Sequence, residues 1–272
     1  MRLPEYNKMK NIPHDYYLRF LDPLVHDEVL DFHSKGNYVI HPDFHNSIHL
    51  HSLEEEQLKI LTGNELILYP DMHIQLPMNS KNDIDPALTR NESETFFSGP
   101  DIAFETVEKL VMPITALKSN QQKRGYPSAG ALYPIEVFVC SLAQDAGDWP
   151  CSEKVLHLLP KSKKFEIVLG TENIEDLRTA ILPEGSNIGS PSIALIYAAY
   201  LPKTLFKYRY RGYRLAAMEV GSIYMLIELS AKSLGLCCRP WSAYTDTMLC
   251  RSLKLNPALF VPMCVHYIGH PQ

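Results

Sequence analysis

A short run of small residues between two prolines is the first stretch whose composition could do chemistry. It reads RGYPSAGALYP over residues 124–134 and leads into an apolar run over 135–140. Small residues let backbone N–H groups approach a flat or charged ligand, and Pro127 and Pro134 restrict the loop. Arg124 adds a permanent positive charge with a planar set of donors. The pattern indicates either a ligand-binding loop or a structural turn.

A basic, tyrosine-rich segment over residues 203–214 is the second chemical candidate. It holds five cationic residues and three tyrosines. Such a mixture can bind single-stranded nucleic acid, form a solvated surface, or supply a catalytic base, because burial and neighbouring cations lower the pKa of a lysine. The net charge of −5 argues against the nucleic-acid interpretation, since nucleic-acid binders are normally basic.

Strands and helices must position these two segments. Apolar runs of strand length cover residues 135–140, 193–200 and 259–268, and the continuous run at 193–200 is typical of a central strand. A hairpin is predicted over 154–169 and a helix over 173–182. A further helical pattern covers 101–117, and Pro113 is expected to kink or end that helix. A helix over 22–32 and a strand over 65–69 are predicted nearer the N-terminus.

The longest predicted helix runs from Leu215 to Leu234 and ends at Gly235, a favourable residue just beyond a helix. Thr245 or Asp246 is expected to cap a shorter helix that reaches Leu253. The long helix carries a broad apolar stripe that we expect to lie mostly in the core: Leu215, Met218, Ser222, Met225, Leu226 and Leu229.

Residues 1–80 differ in composition from the remainder, because they contain eight of the eleven histidines. A metal site at His45, His49 and His51 is one interpretation, and histidines scattered over a polar surface are the other. We favour the second and predict no metal, because no Cys or H-E-x-x-H pattern accompanies them. We expect residues 1–80 to form an N-terminal extension that docks a partner or peptide, and 81–272 to form the main domain.

The composition is that of an ordinary globular protein, with 272 residues of which 46% are hydrophobic and 21% charged. The six cysteines form no C-x-x-C pair, which favours reduced thiols and a cytoplasmic location. The first residues lack the apolar core of a signal peptide, and no apolar run reaches membrane-spanning length.

Three segments together resemble the nitroreductase-like superfamily, in its SagB-type azoline-oxidase branch. They are YPSAGALYPIEVFVC from Tyr126, LFKYRYRGYRLAAMEVGSIYMLIELSAKSLGL from Leu205, and RPWSAYTD from Arg239. The resemblance runs from about Thr89 to Gly269. It implies an α+β fold, with a mainly antiparallel sheet flanked by helices, and a homodimer that binds FMN at the subunit interface.

The resemblance also implies roles for individual residues. Lys207 and Tyr208 match the branch's Lys-Tyr pair and are the expected catalytic residues. Around Arg90 only Arg90 and Ser93 match the family motif, so a solvated surface arginine is the alternative there. The expected cofactor-binding residues are Arg90, Ser93, Arg124, Ser128, Gly130, Ala131, Leu132, Glu219, Gly221 and Arg239.

The activity implied by the resemblance is FMN-dependent oxidation of peptide thiazolines and oxazolines to thiazoles and oxazoles, in the biosynthesis of a microcin-like peptide. The implied partners are the precursor peptide and the cyclodehydratase and adaptor subunits of a synthetase, with no nucleic acid or membrane. Two alternatives stay open. One is an NAD(P)H-dependent nitro or flavin reductase, and the other is a catalytically silent scaffold subunit.

Overall fold

A computed structural model describes residues 14–37, 54–63, 65, 66, 68, 84–118, 122–142, 149, 155–168, 174–182 and 186–272. In these ranges the chain forms one antiparallel sheet of six strands. The strands are β1 (Ile135–Ser141), β2 (Val155–Leu159), β3 (Lys164–Ile167), β4 (Ile193–Tyr200), β5 (Cys237–Trp241) and β6 (Phe260–Gly269). Their order across the sheet is β3-β2-β1-β4-β6-β5.

Seven α-helices lie in the same ranges: α1 (Pro23–Ser34), α2 (Glu55–Gly63), α3 (Phe104–Val111), α4 (Ile174–Ile181), α5 (Pro202–Tyr208), α6 (Arg211–Ser233) and α7 (Asp246–Ser252). Short 3-10 turns cover His14–Phe20, Pro86–Leu88, Met112–Ile114 and Ala129–Ala131. None of the helices in the described ranges is long and apolar enough to cross a membrane.

Strand β4 separates two apolar layers, and all eight of its residues are buried. Its odd-numbered residues, such as Leu195 and Tyr197, belong to a cluster that also contains buried side chains of α1, α3 and α6. Its even-numbered residues, such as Ile196, belong to a second cluster with α4 and α7. Alternating side chains of one strand therefore face two helical layers, and the predicted α+β fold with a mainly antiparallel sheet is confirmed.

The pairing of β1 with β4 decides where the two chemical segments meet. Ile135 at the start of β1 pairs with Ala199 at the end of β4. The amide of Tyr200 donates a hydrogen bond of 2.9 Å to the carbonyl of Pro134. Because the strands are antiparallel, the loop that precedes β1 and the helix α5 that follows β4 lie at the same end of the sheet.

Most elements agree with the sequence predictions, including the central strand, the hairpin and the long helix followed by Gly235 at φ 72°. In the pattern over 101–117, α3 ends at Val111 and Pro113 falls in the 3-10 turn that follows, so the helix ends at Pro113 as expected. Helices α2 and α5 and strand β5 were not predicted. Of the strand expected over 65–69, the described Glu65, Leu66 and Leu68 are not in a strand, and the other two residues lie outside the described ranges.

The prediction for the apolar stripe of α6 was wrong. Met218 is 63% exposed, and the other members of that stripe are only partly buried. The buried face is a different one and includes Ala216, Glu219, Val220, Ile223, Ile227 and Glu228. The helix therefore packs through small and β-branched residues and two carboxylates, while Met218 of the predicted stripe is exposed.

The N-terminal helix α1 packs into the main core through Val25 and Val29, which are buried in the same cluster as β4 and α6. The expected separation of residues 1–80 from 81–272 stays a prediction, as does the docking role of this region. His45, His49 and His51 lie outside the described residues. Within the described residues, no group of three or more His, Cys, Asp or Glu side chains could hold a metal ion.

Candidate active site

The loop between the two prolines has an unusual backbone. Gly130, Ala131 and Tyr133 have φ angles of 61°, 53° and 50°. Only glycine adopts such angles at little cost. The loop is closed on itself by Ser128, whose Oγ accepts a hydrogen bond of 2.9 Å from the amide of Tyr133. Leu132, the fourth predicted ligand residue here, ends the 3-10 turn with its amide bonded to the carbonyl of Ala129.

Gly130 lies directly against the predicted catalytic pair. A Cβ atom built on Gly130 would lie 2.7 Å from Tyr208 Oη and 2.8 Å from Lys207 Nζ. Both distances are shorter than real Cβ contacts, so a side chain at position 130 would force the ends of Lys207 and Tyr208 to shift. The structure thus brings together the two segments that stood out in the sequence, although about 75 residues separate them along the chain.

Lys207 and Tyr208 form the last turn of α5. Lys207 Nζ lies 5.3 Å from the centroid of the Tyr208 ring, within the range of a cation–π contact. Lys207 is exposed, whereas Tyr208 is partly buried. The burial that the sequence argument invoked for Lys207 is therefore not provided by the residues that the structure describes.

Arg124 is held at the base of the loop by two tyrosines. Its Nη1 donates a hydrogen bond of 2.7 Å to Tyr126 Oη, and its guanidinium carbon lies 4.3 Å from the centroid of the Tyr133 ring. Its backbone amide also donates to Tyr133 Oη at 3.0 Å. Burial raises the pKa of Tyr126, although the Arg124 charge opposes that effect. Arg124 thus stabilises the loop itself.

Glu219 lies beneath the loop, on the buried face of α6, and is 3% exposed. Burial raises its pKa to about 7, while hydrogen bonds from Ser128 and from the amide of Ile135, with the charges of Arg124 and Lys203, oppose the shift. Its Oε1 is buried and has no hydrogen-bond partner among the described residues. A buried carboxyl group with a pKa near neutrality, close to the charges of Arg124 and Lys203, is typical of a functional site.

A second group of predicted residues gathers further along α6. Arg90 Nε donates to the buried Glu228, and Arg90 Nη2 donates to Ser93 Oγ at 2.6 Å. Arg239 Nη1 donates to the carbonyl of Glu94 at 3.0 Å. Glu228 is nine positions beyond Glu219, which is about 14 Å along a helix. The predicted residues therefore form two clusters, one at the loop and one around these arginines.

Glu228 continues the arginine cluster into the core. His266 is fully buried, and its Nε2 lies 3.6 Å from Glu228 Oε1. Its Nδ1 lies 3.0 Å from Tyr197 Oη. Burial lowers the pKa of His266, although Glu228 opposes this. Arg90 is therefore the cation that contacts Glu228, and its role as an FMN ligand stays a prediction.

The tyrosine-rich basic segment is largely occupied by contacts with α1. Arg209 Nη1 donates to Asp22 Oδ2 at 2.9 Å, and Tyr210 donates to Glu28. Tyr213 Oη lies 3.1 Å from His33 Nδ1. These contacts explain much of the segment's composition without a nucleic-acid ligand.

A cluster around Glu136 was missed in the sequence. Its Oε1 lies 3.3 Å from Lys203 Nζ and its Oε2 lies 3.2 Å from His157 Nε2. Although burial alone would raise the pKa of Glu136, the hydrogen bond from His157 and the charge of Lys203 lower it to about 2. A single acidic residue inside the apolar run 135–140 was the available signal.

Gly221, a predicted cofactor-binding residue on α6, faces open space, since a Cβ on it would have no heavy atom within 4 Å.

No protein-family model matches the chain. The microcin B17-processing protein McbC of Escherichia coli is 32% identical over 252 residues, which is 92% of this chain and 92% of McbC. A protein of Methanocaldococcus jannaschii named as a nitroreductase is 27% identical over 194 residues, which is 71% of this chain and 96% of that protein.

Two solved structures share the fold. One is the E. coli microcin synthetase McbBCD complex with truncated pro-MccB17 bound, in which a chain of 31% identity gives a TM-score of 0.86 and covers 97% of this chain and 100% of its own length. The other is a crystal structure of a protein from Ralstonia eutropha named as a nitroreductase, with a TM-score of 0.57 at 17% identity, covering 72% of this chain and 88% of that chain. The second likeness shows the fold alone.

The sheet order, the long central helix and these likenesses define an oxidoreductase of nitroreductase-like fold. Within that class the chain belongs to the McbC family, because it is 32% identical to McbC over nearly the whole of both proteins. The superfamily and the branch that the three sequence segments indicated are confirmed.

Proposed function

We propose that this protein oxidises thiazoline and oxazoline rings of a precursor peptide to thiazoles and oxazoles, with FMN as its cofactor, in the biosynthesis of a microcin-like peptide. The observation that carries the proposal is the contact of Gly130 with Lys207 and Tyr208, because it joins a small-residue loop to a candidate proton acceptor. The relative in the McbBCD complex, solved with truncated pro-MccB17 bound, supports a peptide substrate and synthetase partners.

The residues of the two clusters fit FMN. The loop around Gly130 has no side chain beyond Cβ at three successive positions, 129–131, so a flat ring can approach its backbone. Glu219 Oε1 is a buried acceptor without a partner among the described residues. Arg90, Ser93 and Arg239 provide the donors that a phosphate dianion requires. We assign the ring to Arg124, Ser128, Gly130, Ala131, Leu132, Glu219 and Gly221, and the phosphate to Arg90, Ser93 and Arg239.

Oxidation of an azoline removes a proton and a hydride from adjacent ring carbons and leaves a C=C bond. The Cα proton is acidic because it adjoins a C=N bond and a carbonyl, and Lys207 Nζ accepts it, with Tyr208 Oη donating to or relaying from the amine. FMN, when bound, supplies the hydride acceptor. Lys207 is exposed among the described residues, so a bound peptide can reach its amine.

The assembly that we propose is a homodimer that works with a cyclodehydratase and an adaptor subunit. The exposed apolar stripe of α6 around Met218 is the surface that such a dimer would cover. Gly221 lies on the same helix, and a Cβ atom on it would have no described heavy atom within 4 Å.

The test is an absorption spectrum of the purified protein, followed by azoline oxidation by wild type, Lys207→Ala and Lys109→Ala. Lys109 is a matched control, because it is an exposed lysine on α3 whose only described contact is with Glu105. We expect a yellow wild type, a yellow Lys207→Ala variant that is slower by about 10²- to 10⁴-fold, and an unaffected control. A colourless wild type that added FMN does not restore would indicate a scaffold subunit. Steady NADPH consumption with free acceptors would indicate a reductase.

A further inference from the structure

A row of acidic and basic side chains crosses one face of the sheet and ends on α5. His157 of β2 lies opposite Phe138 of β1 and opposite Glu166 of β3. Glu136 is two positions from Phe138, so its side chain is on the same face. His157 Nδ1 lies 2.8 Å from Glu166 Oε1, and His157 Nε2 lies 3.2 Å from Glu136 Oε2. The other oxygen of Glu136, Oε1, lies 3.3 Å from Lys203 Nζ on α5.

The sheet holds Glu136 in place. Its partner His157 stacks on Phe138, with ring centroids 4.9 Å apart and ring planes 27° apart. The side chains of Glu136 and Lys203 are only 21% and 20% exposed, so solvent and salt screen this ion pair less than a surface pair. Each carboxylate oxygen of Glu136 therefore has its own partner, one on the sheet and one on a helix.

Lys203 lies on the short helix that carries the candidate catalytic pair. It precedes Lys207 by four positions, which is one turn and about 6 Å along a helix, so the two lysines share a face. The helix α5 has seven residues, and a helix of that length depends on contacts with its surroundings for its stability. Its last turn ends at Arg209, whose φ of 50° is not helical.

Glu136 lies close to the other half of the candidate site along the chain. It is the second residue of β1 and follows Pro134, which closes the Gly130 loop, by two positions. The ion pair of Glu136 with Lys203 therefore joins the strand that leaves the loop to the helix that carries Lys207 and Tyr208.

We propose that Glu136 is a positioning residue for the candidate catalytic pair. Through its ion pair with Lys203 it fixes α5 against β1, and so keeps Lys207 and Tyr208 beside Gly130. The link to catalysis rests on the proposed function, whereas the effect on α5 does not. Thr204 and Leu205 of α5 are also buried, so attachment of the helix by packing alone is the alternative that the experiment has to exclude.

The first experiment measures hydrogen–deuterium exchange in FMN-free protein, for wild type, Lys203→Met, Lys203→Arg and Glu136→Gln. The amide of Arg209 reports on α5, because it donates to the carbonyl of Leu205 at 2.8 Å. In Lys203→Met, which keeps an unbranched side chain without the charge, we expect this amide to exchange about tenfold faster while the amides of β4 are unchanged. Glu136→Gln should act in the same direction, and Lys203→Arg should resemble wild type.

Glu166→Gln is the matched control, because Glu166 contacts the same histidine from an exposed position on β3. It should leave exchange at Arg209 unchanged. Wild-type exchange at Arg209 in folded Lys203→Met and Glu136→Gln proteins would overturn the proposal, since packing of Thr204 and Leu205 would then hold α5. Equal acceleration in Glu166→Gln would overturn it too, because the loss would not depend on contact with α5.

The second experiment compares azoline oxidation by FMN-loaded wild type, Lys203→Met and Lys203→Arg. We expect Lys203→Met to lower kcat about tenfold with an unchanged KM for the peptide, and Lys203→Arg to recover to within about threefold of wild type. A change in KM alone, or a Lys203→Arg protein as slow as Lys203→Met, would contradict the proposal. A wild type that binds no FMN would refute the proposed function alone, because the exchange measurement needs neither FMN nor peptide.

Discussion

Gly130 and Lys207 are in contact across the candidate site: a Cβ atom on Gly130 would lie 2.8 Å from Lys207 Nζ. The contact follows from the sheet, since the start of β1 pairs with the end of β4. It joins the loop that we assign to the cofactor with the side chain that we assign as base. A side chain at position 130 would therefore displace the ends of Lys207 and Tyr208 from their present positions.

Gly130→Ala is expected to lower azoline oxidation by about 10- to 100-fold while the protein stays folded. The added methyl group would meet the flexible end of Lys207 and Tyr208 Oη, so these groups would move before the fold is lost. Steady-state kinetics with an azoline peptide and thermal unfolding followed by circular dichroism measure the two effects.

Gly235→Ala is the matched control for that variant. Gly235 also has a positive φ, 72°, but a Cβ on it would meet no heavy atom within 4 Å. The Gly235→Ala variant therefore measures the loss of folding stability from backbone strain alone, which is about 1 kcal/mol. Equal loss of activity in the two variants would show that the space beside Lys207 is not what matters.

The sequence predicted strands β1 to β4 and β6 and the long helix correctly because those signals are local. Continuous apolar runs mark β4 and β6, and Gly235 marks the end of α6. The contact between Gly130 and Lys207 was not predictable in this way. It depends on the register of β1 against β4, which is a property of the assembled sheet.

The buried face of α6 was misassigned for a physical reason. The helix has more than one apolar face, and side-chain hydrophobicity does not say which one meets the sheet. Ala216, Val220 and Ile223 recur at helical spacing and, with Ile227, were the available signal, since small and β-branched residues suit close packing. Glu219 and Glu228 within that face obscured it, because buried carboxylates are normally avoided.

Folding stability is expected to depend on pH through Glu219. Burial raises the pKa of Glu219 to about 7, compared with 4.5 as its usual value. The folded state therefore binds this proton more tightly than the unfolded state. The resulting stabilisation is complete below pH 4.5 and is lost as the pH rises through about 7; its size is about 3 kcal/mol.

Urea unfolding of wild type and Glu219→Gln at pH 5, 6, 7 and 8 measures this contribution. The difference between the two proteins isolates Glu219 from His157 and His266, whose pKa values are raised and lowered respectively. We expect wild type to lose stability relative to Glu219→Gln across that interval. A difference that is constant with pH would show that Glu219 does not titrate there.

The pair of Arg90 and Glu228 is expected to stabilise the protein even without FMN. Arg90→Ala would leave the buried Glu228 without its cation, and such a loss costs on the order of 1–3 kcal/mol here, because Arg90 is partly exposed. In a double-mutant cycle with Glu228→Gln, the two substitutions should therefore be non-additive. Additive effects in denaturant unfolding would mean that the contact contributes nothing.

The outer face of α6 is expected to form the dimer interface. Met218→Glu places a charge in the exposed apolar stripe and should convert a dimer into a monomer in sedimentation velocity, with the fold retained because Met218 is 63% exposed. Ile167→Glu, at an apolar residue on β3 that is 41% exposed, is the matched control and should remain dimeric.

Gly221→Ala is a second variant that tests the same interface. In a free helix it would stabilise the protein by about 0.5–1 kcal/mol, since nothing in the described chain lies near the new methyl group. If a second subunit or the cofactor approaches Gly221 closely, the same substitution should instead weaken dimerisation or FMN binding. A dimeric Met218→Glu protein would locate the interface elsewhere.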